Sequence, residues 1–301
     1  TAAPTAEPVN SVRVPEECNT LKKVVDSDSS KVVPTVETEK VCATSRQELA
    51  ASSSSSAVGG TKAPSPVSST AAPTAEPANS IRVPEDCNTL MEAAERVHGD
   101  DHLTTIVVGK GHHTGGLMNP LNISSAMNIV GDPGVAKEEI VVVGGFNFEK
   151  EIQGNCHLQH LTLCQAWCGV FGESSFTMED VLVEQCEMGV GAGGSDVVVR
   201  CTDVEVRQCR GHGVAAGMGA SITLIGAKTT VHHNATRGQC DEYGFTYGLV
   251  VAGASSTIQL ISPLTKEQVS IDNGGGGNWG VDSGSTTGDR GDINQIKTIS
   301  Q

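Results

Sequence analysis

From residue 80 onward, apolar and polar residues alternate in short runs that end in glycine. Thr104-Thr-Ile-Val-Val-Gly109, Ala126-Met-Asn-Ile-Val-Gly131 and Glu139-Ile-Val-Val-Val-Gly144 follow one another at short intervals. Successive side chains on an extended backbone point to opposite faces, so each run reads as a short strand closed by a turn. One segment has a different period. Leu90, Ala93, Ala94 and Val97 recur at helical spacing behind Thr89, and Thr89-Leu-Met-Glu92 has the form of a capping box. This predicts an amphipathic helix, preceded by a short strand at Ser80-Ile-Arg-Val83 and ended by His98-Gly-Asp-Asp101.

Beyond Gly154 the alternation becomes a repeat. Leu161-Thr-Leu-Cys-Gln-Ala166, Val181-Leu-Val-Glu-Gln-Cys186, Val204-Glu-Val-Arg-Gln-Cys209 and Thr229-Thr-Val-His-His-Asn234 superimpose, with a late relative from Val269. Their starts fall 20, 23 and 25 residues apart, then 40. That is the length of one coil of a parallel β-helix, and repeats of this period mark solenoids. The longest interval holds a loop insertion around residues 237–248. Alternation predicts that Leu161, Leu163, Val181, Val183, Val204 and Val206 point into the tube. Cys186, Cys209 and Asn234 would then stack at one inner corner, and Gly169, Gly189 and Gly213 would supply the next bend. The outward column would be Glu184, Arg207, His232 and Asp272, with Gln185, Gln208 and His233 beside it. Rungs about 4.8 Å apart should bring Glu184 against Arg207.

The segment before residue 80 reads differently. Thr1–Leu21 returns almost unchanged as Thr70–Leu90, but Lys23 replaces Glu92 of the cap, and a Ser/Ala/Pro-rich stretch lies between the copies. Such a composition buries too little apolar surface to order itself. The expected organisation is therefore 1–79 mostly disordered, 80–283 the solenoid, and 284–301 a tail.

Composition narrows the functions. The formal net charge of -15 argues against nucleic acid, which needs clustered Lys and Arg. No apolar run reaches membrane-spanning length, and no signal-like region is visible in the chain. The 10 cysteines include no Cys-x-x-Cys pair, and the two His-His pairs, at 112–113 and 232–233, point to opposite sides of a strand. No metal site or cofactor is expected. Oligomeric state and compartment are not legible.

The order of short strand, cap helix, Thr105-Ile-Val-Val-Gly-Lys-Gly111 and stacked rungs resembles the pectin-lyase-like right-handed parallel β-helix superfamily over about residues 80–281. The entry Arg82-Val-Pro-Glu-Asp-Cys87 through Gly111 looks like that of β-helix proteins expanded in algal, especially diatom, genomes. It is also similar to the substrate-binding β-helix of some F-box proteins. The resemblance implies an all-β solenoid. It leaves function open, because this fold carries lyases, hydrolases, epimerases and binding scaffolds.

Gly211-His212-Gly213 is similar to the Gly-His-Gly of polygalacturonases, but the accompanying motifs are missing. Asn-Thr-Asp is absent, Asp100-Asp101 ends the cap helix, and Asp292-Ile-Asn-Gln-Ile-Lys297 lacks the Arg of Arg-Ile-Lys. Inverting hydrolysis needs two carboxylates at a defined separation, which one motif cannot supply. Asp196, Asp203 and Glu205 near Arg200 and Arg207 fit no lyase pattern. If acid–base chemistry exists, it is expected where the insertion, with Asp241, Glu242 and Tyr243, folds towards Arg207, His212 and His232. The leading expectation is a non-catalytic or weakly catalytic module. It would bind a polysaccharide or a protein partner along one rung face through Glu184, Arg207, Gln185, Gln208, His233 and Tyr243. A polysaccharide lyase or hydrolase on the same fold is the alternative, and a structural scaffold the third reading. Asn122-Ile-Ser124 and Asn234-Ala-Thr236 are glycosylation sequons, with Asn234 expected inside the ladder.

Overall fold

The computed structural model describes residues 79–115, 120–237, 239–240, 244–282 and 291–300, all within the compact unit spanning 72–301. The expected disorder of 1–79 and the candidate residues Asp241, Glu242 and Tyr243 lie outside the described residues, save Asn79.

The alternating runs form three parallel sheets. The first has nine strands: Ser80–Val83, Thr105–Val108, Asn128–Gly131, Cys156–Gln159, Phe176–Glu179, Val198–Thr202, Ser221–Ile225, Thr257–Ile261 and Ile296–Ile299. The second has seven, Gly111–Thr114, Ile140–Val143, Thr162–Cys164, Leu182–Glu184, Glu205–Arg207, Thr230–His232 and Ser270–Ile271. The third has seven, Leu121–Ile123, Phe146–Phe148, Cys168–Gly172, Met188–Gly193, Val214–Gly217, Leu249–Ala252 and Trp279–Val281. From Thr105 the chain visits first, second and third sheet in turn and then starts the next coil, so the strands of these sheets pair with their counterparts one coil away, while Gln239–Cys240 and Gly244–Phe245 pair antiparallel with each other. Such a tube has little apolar cross-section per rung, and columns of inward side chains from the three sheets fill it. Leu163, Val183, Val206 and Val231 are in register and fully buried in the second sheet; Phe146, Val170, Val190, Val214 and Leu249 do the same in the third.

The helix Leu90–Gly99 closes the first coils, burying Leu90, Ala93, Ala94 and Val97. Thr89 Oγ1 accepts from Glu92 N at 3.1 Å. The reciprocal bond goes one residue earlier than a capping box places it, from Asn88 N to Glu92 Oε2 at 3.1 Å. Three further features depart from the sequence reading. Residues 296–299, expected in a tail, form the ninth strand of the first sheet, paired with Thr257–Ile261 and burying Ile296. The register of the last coil is one residue later than the repeat implies, so His232 faces Ile271, not Asp272. Gly189 and Gly213 do not have positive φ. Their lack of a side chain serves close approach: a Cβ on Gly189 would sit 2.3 Å from Gly213 O, and one on Gly213 2.7 Å from Gly248 O.

At the corner between the second and third sheets, left-handed backbone falls on polar residues. Gln165, Gln185, Gln208, His233 and Asp272 have φ of 55, 54, 56, 55 and 52°, one per coil, where the chain turns from second to third sheet. Short polar side chains tolerate this region better than branched ones. One residue on, the chain turns inward again at Ala166, Cys186, Cys209, Asn234 and Asn273. There Asn234 Oδ1 accepts from Cys209 N at 3.0 Å, and its Nδ2 donates to Val206 O at 2.9 Å and to Asn273 Oδ1 at 3.1 Å. Asn234 is fully buried, so its sequon is not an accessible acceptor.

Candidate functional site

The outer face of the second sheet carries a connected charge network. Arg207 Nε and Nη2 donate to Glu184 Oε2 at 2.9 and 2.8 Å, and its Nη1 donates to Glu205 Oε1 at 2.8 Å. His232 Nε2 lies 3.2 Å from the same Glu205 oxygen, and its Nδ1 lies 2.7 Å from His233 Nδ1. One of those two Nδ1 atoms must carry the proton and the other accept it. Burial alone would lower the pKa of Arg207, but Glu184 and Glu205 outweigh it and hold the guanidinium charged above its usual value. Behind Glu184 the column runs through the buried Cys164 to Val143 and Thr114, and ahead of His232 it reaches the exposed Ile271.

The corner beside this sheet is the more open surface. Gln185 Nε2 donates to Gln208 Oε1 at 3.4 Å, and Gln208, His233 and Asp272 are exposed. Two residues further along each coil, a second outward column begins with Trp167, continues to Glu187 and then to Arg210. Backbone bonds fix this stacking: Met188 N donates to Trp167 O at 2.9 Å, and Gly211 N to Glu187 O at 2.6 Å. Trp167 is 66% exposed. Glu187 takes Arg237 at 2.7 Å through Oε1 and Arg210 at 3.6 Å through Oε2, so two guanidinium groups share one carboxylate. The repeat by itself gives Trp167 and Arg210 no direction. Their outward direction depends on the corner geometry, which the alternation of a straight strand does not report.

His212 lies on neither of these columns. It lines a groove on the outer face of the third sheet, with Phe171, Met188, Ala215 and Met218 among its neighbours. It is half-buried, and Tyr247 N donates to its Nδ1 at 3.1 Å. Burial pushes its pKa below the ordinary value, against the nearby Asp282. The groove is lined by neither Arg207 nor His232, so the imidazoles of His212 and His232 serve separate faces.

The remaining acids are dispersed too. Asp203 Oδ1 accepts from Lys228 N at 3.0 Å at the opposite corner, and Arg200 faces outward from the first sheet. Asp180 sits between Lys137 Nζ and His160 Nδ1, each at 2.7 Å. Among the described residues no group of three His, Cys, Asp or Glu is placed to hold a metal ion, and no helix is long and apolar enough to cross a membrane. Comparisons of this chain with protein-family models, with curated proteins and with solved structures find no match in any of the three, so its own geometry is what bears on function.

Proposed function

We propose that the protein is a non-catalytic right-handed parallel β-helix module, of the pectin-lyase-like kind. On this reading it binds an extended carbohydrate chain along the corner between its second and third sheets. Right-handedness is the hand that parallel crossovers adopt. The observation that carries the ligand reading is Trp167. A large indole left 66% exposed one rung from Glu187, with Arg210 and Arg237 beyond it, is a stacking platform next to planar hydrogen-bonding groups. The C–H face of a pyranose packs on such a ring, while its hydroxyls take the carboxylate, guanidinium and amide groups of Glu187, Arg210, Gln185 and Gln208. Repetition at about 4.8 Å presents similar groups to successive units of a linear ligand.

Binding is favoured over hydrolysis because the acids of this surface are committed within the protein. Glu184, Glu205 and Glu187 each accept from arginine. A glycosidase needs one carboxyl free to protonate a leaving group and a second on the opposite side of the bond. The test is a glycan array of neutral and acidic polysaccharides probed with the full chain. Any hit is then titrated by tryptophan fluorescence and assayed for released reducing ends or unsaturated products. The expectation is saturable quenching, at least tenfold weaker binding by Trp167→Ala, and no product. An array without hits, or undiminished binding by Trp167→Ala, defeats the reading; product formation moves it to the enzyme alternative.

A further inference from the structure

The groove on the third sheet is independent of the Trp167 corner. The outward positions of that sheet begin with Asn122, Asn147 and Phe171 and continue through Gly191, Ala215 and Val250 to Gly280. Between Phe171 and Val250 the face drops, because two successive rungs offer only a hydrogen and a methyl group. The adjoining outward column, Gly193, Gly217 and Ala252, is as small. The result is a groove of about 180 Å³. Its lips are the Phe171 ring and two thioethers: Phe171 Cδ2 would lie 2.8 Å and Met188 Cε 3.1 Å from a Cβ on Gly191, and Met218 Cε 2.6 Å from one on Gly193. Met218 is 70% exposed although the depression beside it could have covered it. Thioether side chains over an apolar floor adapt to varied apolar partners.

Two observations indicate what would fill it. The Nδ1 of His212 accepts from Tyr247 N, so the proton of the neutral ring resides on Nε2, and that N–H makes no hydrogen bond among the described residues. Beside the His212 N–H the lining holds the acidic Asp282 and no cationic group, in a chain whose net charge is -15. A field of that sign favours approach by basic partners. A volume near that of an apolar cavity able to hold a benzene ring, roughly 150 Å³, takes one aromatic or leucine-sized side chain.

We propose that this groove is a docking site for a basic, extended polypeptide segment of a partner protein. One apolar side chain of that segment fills the space between Phe171, Met188 and Met218, and a backbone carbonyl of it accepts from His212 Nε2. A single apolar anchor in a pocket, surrounded by weaker polar contacts, is how short segments acquire most of their affinity.

The experiment is fluorescence anisotropy with the full chain and three labelled peptides. These are Lys-Lys-Phe-Lys-Lys, the same peptide with Ala at its centre, and Glu-Glu-Phe-Glu-Glu, all acetylated and amidated. The first should bind at least tenfold more tightly than the other two. Ala215→Leu and Gly217→Leu fill the floor from outward positions, and the nearest atom to a Cβ on Gly217 is 3.8 Å away. Each should reduce binding tenfold or more with an unchanged circular dichroism spectrum; if one fails to fold, the other serves. Equal binding of the Phe and Ala peptides would show a charge effect alone and overturn the proposal. So would undiminished binding by the substituted chains. Concentration-dependent dimers that either substitution abolishes would instead assign the groove to a second copy of the chain. Glycan binding at Trp167 should be unaffected throughout, which separates the two readings.

Discussion

Arg207 grips Glu184 across one rung of the second sheet: Nε and Nη2 both donate to the single oxygen Oε2, at 2.9 and 2.8 Å. The third guanidinium nitrogen is held by Glu205 from its own strand, at 2.8 Å. The arginine therefore holds apart two carboxylates that would otherwise repel, on side chains only 17% and 29% exposed. An exposed ion pair contributes about 0–1 kcal/mol. Here removal of Arg207 takes from Glu184 its guanidinium partner and leaves Glu205 with His232, and a charged group left without its partner costs about 1–3 kcal/mol or more. Arg207→Ala should destabilise the protein by about 2 kcal/mol, whereas Arg207→Ala combined with Glu184→Gln should recover part of that loss. Urea denaturation of the single and double variants measures it, and strictly additive effects would contradict the coupling.

Asn234 has no exposed surface and satisfies groups on both neighbouring coils. Asn234→Ala would leave the buried Cys209 N–H without its partner and remove the bonds to Val206 O and Asn273 Oδ1. At about 1–3 kcal/mol for a buried group left unsatisfied, and with the further bonds lost, the expected loss is about 3 kcal/mol, larger than for an alanine substitution at an exposed residue of the preceding coil such as Gln208. A melting temperature within a degree of the unsubstituted chain would rule out the ladder as a stabilising element.

Acid should weaken the opposite corner first. Burial alone would raise the pKa of Asp180, but hydrogen bonds from Lys137 and His160 outweigh it and hold the carboxyl below its ordinary value of 3.8. A carboxylate with a depressed folded-state pKa contributes stability that is present above the unfolded value and is lost as pH falls through the folded value. Stability should therefore drop below about pH 4, and Asp180→Asn should flatten that part of the profile while lowering stability at pH 7. Guanidinium midpoints at pH 7 and between pH 5 and 2.5 give the comparison. An Asp180→Asn profile as steep in acid as the unsubstituted one would exclude this linkage.

The inner thiols should be inert. Cys186 and Cys209 are unbridged and fully buried on successive rungs. The neighbouring Cys209 thiol, together with burial, drives the pKa of Cys186 far up, and burial alone pushes Cys201 up to about 12. Because the thiolate is the reactive form, alkylation by iodoacetamide at pH 8 should leave Cys186, Cys201 and Cys209 unmodified until denaturant is added. Mass spectrometry of the digested protein reads each site. A peptide cross-linked between Cys186 and Cys209, or rapid native labelling of either, is the contrary outcome.

The alternation of Val181, Val183, Val204 and Val206 determines which residues fill the tube, because in a strand of fixed period an inward residue commits every second neighbour. The helix at Leu90–Gly99 and the inner corner of Cys186, Cys209 and Asn234 follow from the same local rules, since capping and periodicity involve residues a few positions apart. Those rules fail where distant coils meet. The last coil slips by one residue, placing Ile271 rather than Asp272 beyond His232, because register is set by pairing with a strand some 40 positions earlier and the intervening insertion hides the offset. Ile296–Ile299 counts as a strand only because Thr257–Ile261 offers it an edge. The outward direction of Trp167, the sharing of Glu187 by Arg210 and Arg237, and the separation of His212 from His232 all arise at the corner. There one residue per coil adopts left-handed φ and redirects everything after it. The composition of the strands determined a parallel solenoid, while the turns between sheets, read only in three dimensions, decided which side chains share a surface.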